Sequence, residues 1–306
     1  MSASDDIVLR TSGLTKRYGK RLAVDALDID VRRGRAYGFL GPNGSGKTTT
    51  IGMILGLVRV DGGSIHLFGS DAAAHRESAL RRIGATVEGQ SYFPHLSARD
   101  NLRLWAKISD VPDKRIDEVI ETVGLTSRAQ DKARTYSLGM KQRLAVGAAI
   151  LHDPDLVILD EPTNGLDPAG IREFRQMVHN LRAEGKTVFV SSHILSEVEQ
   201  MCDDVGIIKL GRLVIQKPVA ELRSAASSIE LRTTDDVRAL ALLSGLPWIA
   251  AIAREDGQLV ASAPPERSVE ISRTLAASDI FLHELRPRDS SLEDFFLEVT
   301  EDAEHA

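Results

Sequence analysis

Cysteine is nearly absent. Cys202 is the single one in 306 residues, which excludes an internal disulfide framework and fits a reducing compartment. A basic excess is absent too. With 38 Lys and Arg against 44 Asp and Glu, the formal net charge is −6. No overall positive balance therefore draws the chain to nucleic acid or anionic lipid. Long apolar runs are missing as well. The longest, Leu240 to Ala253, is broken by Ser244, Gly245 and Pro247 and is too short to span a bilayer. Met1 to Asp6 is polar and acidic and does not read as a secretory signal. The eight histidines show no metal-ligand spacing such as HExxH. There is no internal repeat and no low-complexity segment. What is left is a soluble chain, long enough for a large core and for two domains.

What is present is organised around Gly41-Pro42-Asn43-Gly44-Ser45-Gly46-Lys47-Thr48. Two glycines flank a short loop that ends in Lys-Thr, the pattern of a phosphate-binding loop. A triphosphate needs several backbone N–H donors directed into one hollow, and glycines let the chain curl that tightly. Lys47 then serves the outer phosphates as a point charge, and the Thr48 hydroxyl is a ligand for Mg²⁺. The flanks agree. Ala36 to Phe39 and Leu40 read as a short buried strand, and Ile51, Ile54, Leu55 and Val58 lie on one helical face. The helix N-terminus favours the same anion, so the nucleotide-contacting stretch runs from Gly41 through Thr49.

Ile7 to Phe39 reads as strands, with Leu27, Ile29 and Val31 alternating with charged residues. Tyr18 falls here, and position alone reads it as a strand-end aromatic. From about 97 to 154 the pattern is helical. Ser97-Ala98-Arg99-Asp100 is a helix start, Gly124 a helix stop, and a third helix begins near Leu138-Gly139. Leu156 to Leu159 and Thr187 to Val190 are unbroken apolar runs, as strands buried on both faces are. Helices at 169–183 and 194–201 alternate with them, which predicts a doubly wound α/β core. In such a core, functional groups gather at the carboxyl ends of the strands. Asp160, Glu161 and His193 sit at such ends. Asp160 is the expected second anchor for Mg²⁺. Glu161, one residue further out, orients or deprotonates an attacking water, and His193 contacts the outer phosphate.

The last stretch has a different rhythm. Strands at 228–232, 248–254, 258–262 and 280–286 and helices at 235–243 and 266–277 spell βαββαβ, a ferredoxin-like order. A helix at 291–299 closes it, and residues 217–227 read as the linker.

Taken together, the phosphate loop, Tyr136 to Arg143, Asp160-Glu161-Pro162-Thr163, Gly165-Leu166-Asp167 and Ser192-His193 resemble the ATP-binding subunits of ABC transporters. The resemblance covers about residues 7–217. It implies an ABC ATPase domain over 1–217, with N-terminal antiparallel β structure and an inserted helical subdomain; the βαββαβ stretch over 225–306 is then a C-terminal accessory domain. It implies stacking of adenine on Tyr18 and a head-to-tail pair of subunits sandwiching two ATP molecules. Ser137 and Gly139 would meet the outer phosphate of the partner's nucleotide, and Asp167 would contact the partner. The implied setting is the cytoplasmic face of the cell membrane, where ATP hydrolysis drives a separately encoded membrane permease, without nucleic acid.

Two positions depart from the usual family pattern. In the Leu-Ser-Gly-Gly-Gln signature, Leu138 and Met140 replace the first glycine and the glutamine. Glu88 stands where the family has a glutamine that senses Mg²⁺ and the membrane subunit. Both departures, and an ending like Ser291 to Leu297, resemble the bacterial branch that exports antibiotics such as bacitracin and daunorubicin. The rival reading is a soluble ABC-type ATPase acting on ribosomes or DNA. Against it, the chain has one phosphate loop and no sustained heptad run.

Overall fold

A computed structural model describes residues 6–87, 92–255 and 257–289. The chain divides into two compact units, Met1–Lys217 and Pro218–Ala306.

The first unit begins with two long antiparallel strands, β1 (Ile7–Tyr18) and β2 (Arg21–Arg32), paired from Ile7↔Arg32 to Tyr18↔Arg21. β3 (Ala36–Leu40) leads into α1 (Lys47–Ile54), and β4 (Gly62–Leu67) and β5 (Ser70–Asp71) complete an antiparallel sheet of order β2-β1-β4-β5. After α2 (Arg76–Leu80) and β6 (Ile83–Thr86) come three helices, α3 (Ala98–Ile108), α4 (Asp113–Thr122) and α5 (Leu138–Ile150). Their starts follow the sequence signals. Ser97 Oγ accepts the Asp100 N–H at 3.1 Å, and Gly124 ends the second helix with φ 66°, a left-handed backbone that glycine adopts without penalty. The three helices bury Leu102, Ile116, Val119 and Leu144 among them.

β7 (Leu156–Leu159), α6 (Pro168–Ala183), β8 (Thr187–Ser192), α7 (Leu195–Met201), β9 (Asp204–Lys209) and β10 (Arg212–Pro218) finish the unit. The main sheet has the order β10-β9-β3-β8-β7-β6, and β9, β3, β8, β7 and β6 run parallel. Every residue of β3, β7 and β8 is buried, as two-sided coverage requires. The helices press close: a Cβ on Gly84 would lie 2.0 Å from the Ala149 carbonyl oxygen of α5. The consequence for function is the order β3-β8-β7. Neighbouring strands are about 4.8 Å apart, so the loops following these three emerge side by side.

The second unit contains α8 (Val219–Ala226), β11 (Ser227–Thr233), α9 (Asp236–Leu243), β12 (Ala251–Glu255), β13 (Gln258–Ser262), α10 (Ser268–Ala276) and β14 (Leu282–Asp289). Its sheet order is β12-β13-β11-β14, with every pairing antiparallel. Ile229, Leu231, Leu259 and Ala261 pack with Ala239, Leu243, Ile271 and Leu275 of the two helices. Two sequence expectations are corrected here. The stretch read as a linker forms α8. The strand expected from Trp248 starts only at Ala251, because Ile249 N donates to Leu246 O in a turn through Pro247. The expected helix at 291–299 lies outside the described residues.

Candidate functional site

The phosphate loop joins the end of β3 to α1. Gly46 has φ 113°, and a Cβ there would approach the Ala23 carbonyl oxygen to 2.5 Å. Glycine is therefore required twice over, by backbone conformation and by space. The loop is tied to its surroundings at both ends: Gly41 N donates to Ser192 O at 3.2 Å, and Gly211 N to Ser45 O at 2.9 Å. Pro42, Asn43 and Gly44 are exposed at its tip, Thr48 is exposed on the first turn of α1, and Thr49 is half-buried beside it. The first-turn N–H groups of any helix lack intrahelical partners, which is the donor supply an anion uses.

Lys47 is 6% exposed and its ammonium is the cationic hub of the site. Nζ donates to the carbonyls of Gly41 at 2.7 Å and Pro42 at 3.2 Å. It also lies 3.0 Å from Glu161 Oε1, an ion-pair contact rather than an aligned hydrogen bond. The other oxygen, Glu161 Oε2, is 2.8 Å from His193 Nδ1. An ionised carboxylate only accepts, so Nδ1 carries the proton and Nε2 is the ring atom left for another partner. Lys47, Glu161 and His193 thus form one continuous chain across the ends of β3, β7 and β8.

Glu161 holds an unusual backbone, with φ 47°. A non-glycine residue there is strained and persists where its surroundings over-determine it. The restraints are visible: Glu161 N donates to Ser191 Oγ at 2.8 Å, its carbonyl accepts from Asn164 N at 3.2 Å, and both carboxylate oxygens are engaged. Ser191 Oγ in turn donates to Asp160 Oδ1 at 2.6 Å. Asp160 Oδ2 is buried and has no hydrogen-bond partner among the described residues. A buried carboxylate oxygen of this kind is costly unless a cation or donor meets it. It and the Thr48 hydroxyl are hard oxygens, the donor type Mg²⁺ takes.

Tyr18 stands at the end of β1, half exposed, with Lys16 Nζ 5.3 Å from the centre of its ring. Ser137 and Asp167 are both helix caps. Ser137 Oγ accepts the Met140 N–H at 3.2 Å at the head of α5, and Asp167 Oδ1 accepts the Gly170 N–H at 2.8 Å at the head of α6. Both residues are exposed, and Gly139 is half-buried behind Ser137. Leu138 lies over the neighbouring loop, where a Cβ on Gly165 would come within 3.1 Å of its Cδ2. Glu88 lies outside the described residues.

Sequence reasoning therefore named the three members of the central chain and the Asp160 carboxylate, but missed what holds them. Ser191 and Glu197 were given no part, and Thr163 entered only as the last residue of the Asp160 to Thr163 motif. Thr163 Oγ1 donates to Glu197 Oε2 at 2.6 Å, in a network with Ser192. A signal for Glu197 was available. It precedes the buried Met201 by one helical turn, so a carboxylate falls on the apolar face of α7.

The family model described as ABC transporter matches residues 24–164. The bacitracin transport ATP-binding protein BcrA of Bacillus licheniformis is 41% identical over 296 residues, covering 95% of this chain and 97% of that protein. The lantibiotic transport ATP-binding protein SrtF of Streptococcus pyogenes is 39% identical over 210 residues, covering 69% of this chain and 90% of that one. Among solved structures, an ATP-binding subunit of an ABC transporter aligns with a TM-score of 0.62 at 29% identity, covering 71% of this chain and 92% of that one.

Proposed function

Because this chain belongs to the ABC transporter family of ATP-binding proteins, which hydrolyse ATP to power transport, we propose that it is the ATPase subunit of an exporter of antibiotic-like compounds. It works as a head-to-tail dimer and drives a separate membrane permease from the cytoplasmic face. The single observation that carries the catalytic reading is the Lys47–Glu161–His193 chain across three adjacent strand ends. The cargo class is supported by relatives named for bacitracin, lantibiotic and linearmycin. Among the described residues no helix is long and apolar enough to cross a membrane, which accords with a permease on another chain.

The residues divide the work as follows. Tyr18 stacks the adenine. Gly41, Pro42, Asn43, Gly44, Ser45 and Gly46 wrap the phosphates, with Asn43, Gly44 and Gly46 as the backbone N–H donors; Pro42 has no N–H, and Gly41 N and Ser45 N brace the loop on Ser192 O and Pro42 O. Lys47, Thr48 and Thr49 continue that contact into α1. Mg²⁺, when bound, offsets charge on the outer phosphates; Thr48 and Asp160 would hold it, with Glu88 as its sensor. Lys47 has three N–H donors, and Gly41 O and Pro42 O occupy two. Turning the third to a phosphate releases Glu161 Oε1, and the freed carboxylate takes a proton from the attacking water. His193 holds Glu161 through Nδ1 and faces the outer phosphate through Nε2. Across the dimer, the Ser137 hydroxyl still has its proton to donate while its oxygen caps α5, and with Gly139 it closes on the partner's nucleotide. Asp167 contacts the partner. The second unit is a ferredoxin-like accessory domain that strengthens self-association.

Purified protein tests this directly. We expect Mg²⁺-dependent ATP turnover, reduced about 10²–10⁴-fold in Glu161→Gln, the usual range for removing a catalytic base. That variant should also shift to a dimer on size-exclusion chromatography with ATP. A Glu161→Gln protein that stays monomeric and turns over ATP normally would remove Glu161 from the chemistry.

A further inference from the structure

Two hydroxyl bridges join the loops that follow β7 and β8. The first runs through Ser191 to Asp160 Oδ1 and Glu161 N, as described above. The second is centred on Glu197, a side chain that none of the assigned roles uses. Glu197 is 6% exposed on α7. Its Oε2 accepts two O–H groups, from Thr163 at 2.6 Å and from Ser192 at 3.1 Å. Thr163 and Ser192 are 4% and 1% exposed, so water does not compete for these bonds. Ser192 Oγ also accepts the Ile194 N–H at 3.0 Å, which closes a turn around His193.

The choice of residue is physically expensive. No cation lies within ion-pair distance of Glu197 among the described residues, and a buried carboxylate without one carries a desolvation penalty. If packing were the only requirement, an apolar side chain on this face of α7 would be the cheaper solution. What a carboxylate adds is one strong acceptor for two hydroxyl donors on different loops. One donor is two residues beyond Glu161 and the other immediately precedes His193. Glu161 has a strained backbone that persists only while its loop is held.

We infer that Glu197 is a positioning residue for ATP hydrolysis: it ties the loop carrying Glu161 to the turn carrying His193, and so maintains the 2.8 Å contact between their side chains. This rests on the ATPase reading above. The phosphate loop takes no bond from the Glu197 side chain and meets this network only through the backbone bond from Gly41 N to Ser192 O, so the tie acts chiefly on the chemical step. Displacements of about 1 Å in a catalytic group cost up to about 10²-fold in rate.

Steady-state kinetics on the purified full chain test this with Glu197→Ala, Glu197→Gln, Thr163→Val and the Thr163→Val/Glu197→Ala double variant. Glu197→Ala should lower kcat about tenfold or more while KM for ATP moves less than about twofold. Thr163→Val should lower kcat in the same way but less. The double variant should fall within about twofold of Glu197→Ala, because the bond that Thr163→Val removes is one of the two already lost in Glu197→Ala. Glu197→Gln keeps an oxygen that accepts both hydroxyls and should recover most of the lost kcat. An unchanged kcat in both Glu197→Ala and Thr163→Val overturns the inference. So does a rise in KM at constant kcat, or a glutamine variant no better than alanine. Should Glu197→Ala not fold, Thr163→Val and Glu197→Gln carry the same kcat-against-KM comparison. Absence of turnover in the wild-type chain overturns the ATPase reading and this inference with it; wild-type turnover with any of the adverse variant results overturns this inference alone.

Discussion

The parallel sheet of the first unit and the antiparallel sheet of the second use their strand ends in opposite ways. Strands β3, β7 and β8 are buried throughout, and each crossover returns over the sheet, so the loops at the carboxyl ends collect in one place. Those loops hold a lysine, two carboxylates and a histidine within a few ångströms of one another. In the second unit, Ile229, Leu231, Leu259 and Ala261 lie under two helices, while β12 is largely exposed and β14 offers Arg286 to Glu230 at 2.6 Å. One of its connections is the β12–β13 hairpin, and the other two run through α9 and α10 on the covered face. A parallel strand order concentrates chemistry; an antiparallel sheet with two helices on one face makes a stable surface.

That contrast can be broken most severely at Lys47. Lys47→Ala removes the only side-chain cation in the loop, and charge-assisted contacts are worth about 1.5–3 kcal/mol each. Loss of the one it turns to a phosphate predicts ATP binding weaker by about tenfold to a hundredfold, with turnover lost in step. Titration of a fluorescent ATP analogue measures it, and wild-type affinity in a clean preparation would sink the nucleotide assignment.

An intermediate effect should come from the core of the second unit. Leu231 is fully buried, and Leu→Ala at such a site costs about 2–5 kcal/mol. Urea unfolding followed by Trp248 fluorescence, in a Trp105→Phe background, should show that loss while ATP turnover at low urea persists. If turnover falls as far as stability does, the two units do not divide the labour as drawn.

The smallest expected effect is on ATP affinity after ending the chain at Lys217. Every residue proposed to face the nucleotide precedes that point, so binding should stay within about threefold of the full chain while self-association weakens. Failure of a folded truncation to bind nucleotide would place part of the site beyond residue 217.

Legibility in the sequence followed distance along the chain. The phosphate loop is contiguous and its glycines answer local demands, as Gly46 shows. Helix caps at Ser97 and the stop at Gly124 are equally local. Within the stretch expected to be a linker, 217–227, the helix α8 was not read: a single apolar pair, Val219 and Leu222, both buried, is its whole periodic signal.

From residue types and spacing alone, then, come the triphosphate loop, the alternation of strand and helix, and the charged residues that end β7 and β8. Which of those groups touch was decided by the sheet order β3-β8-β7. Glu161 and His193 are 32 residues apart, and Thr163 and Glu197 are 34 apart. No local preference encodes such pairs. They meet because parallel strands about 4.8 Å apart deliver their loops to the same edge, where a buried carboxylate must find its partners or destabilise the fold.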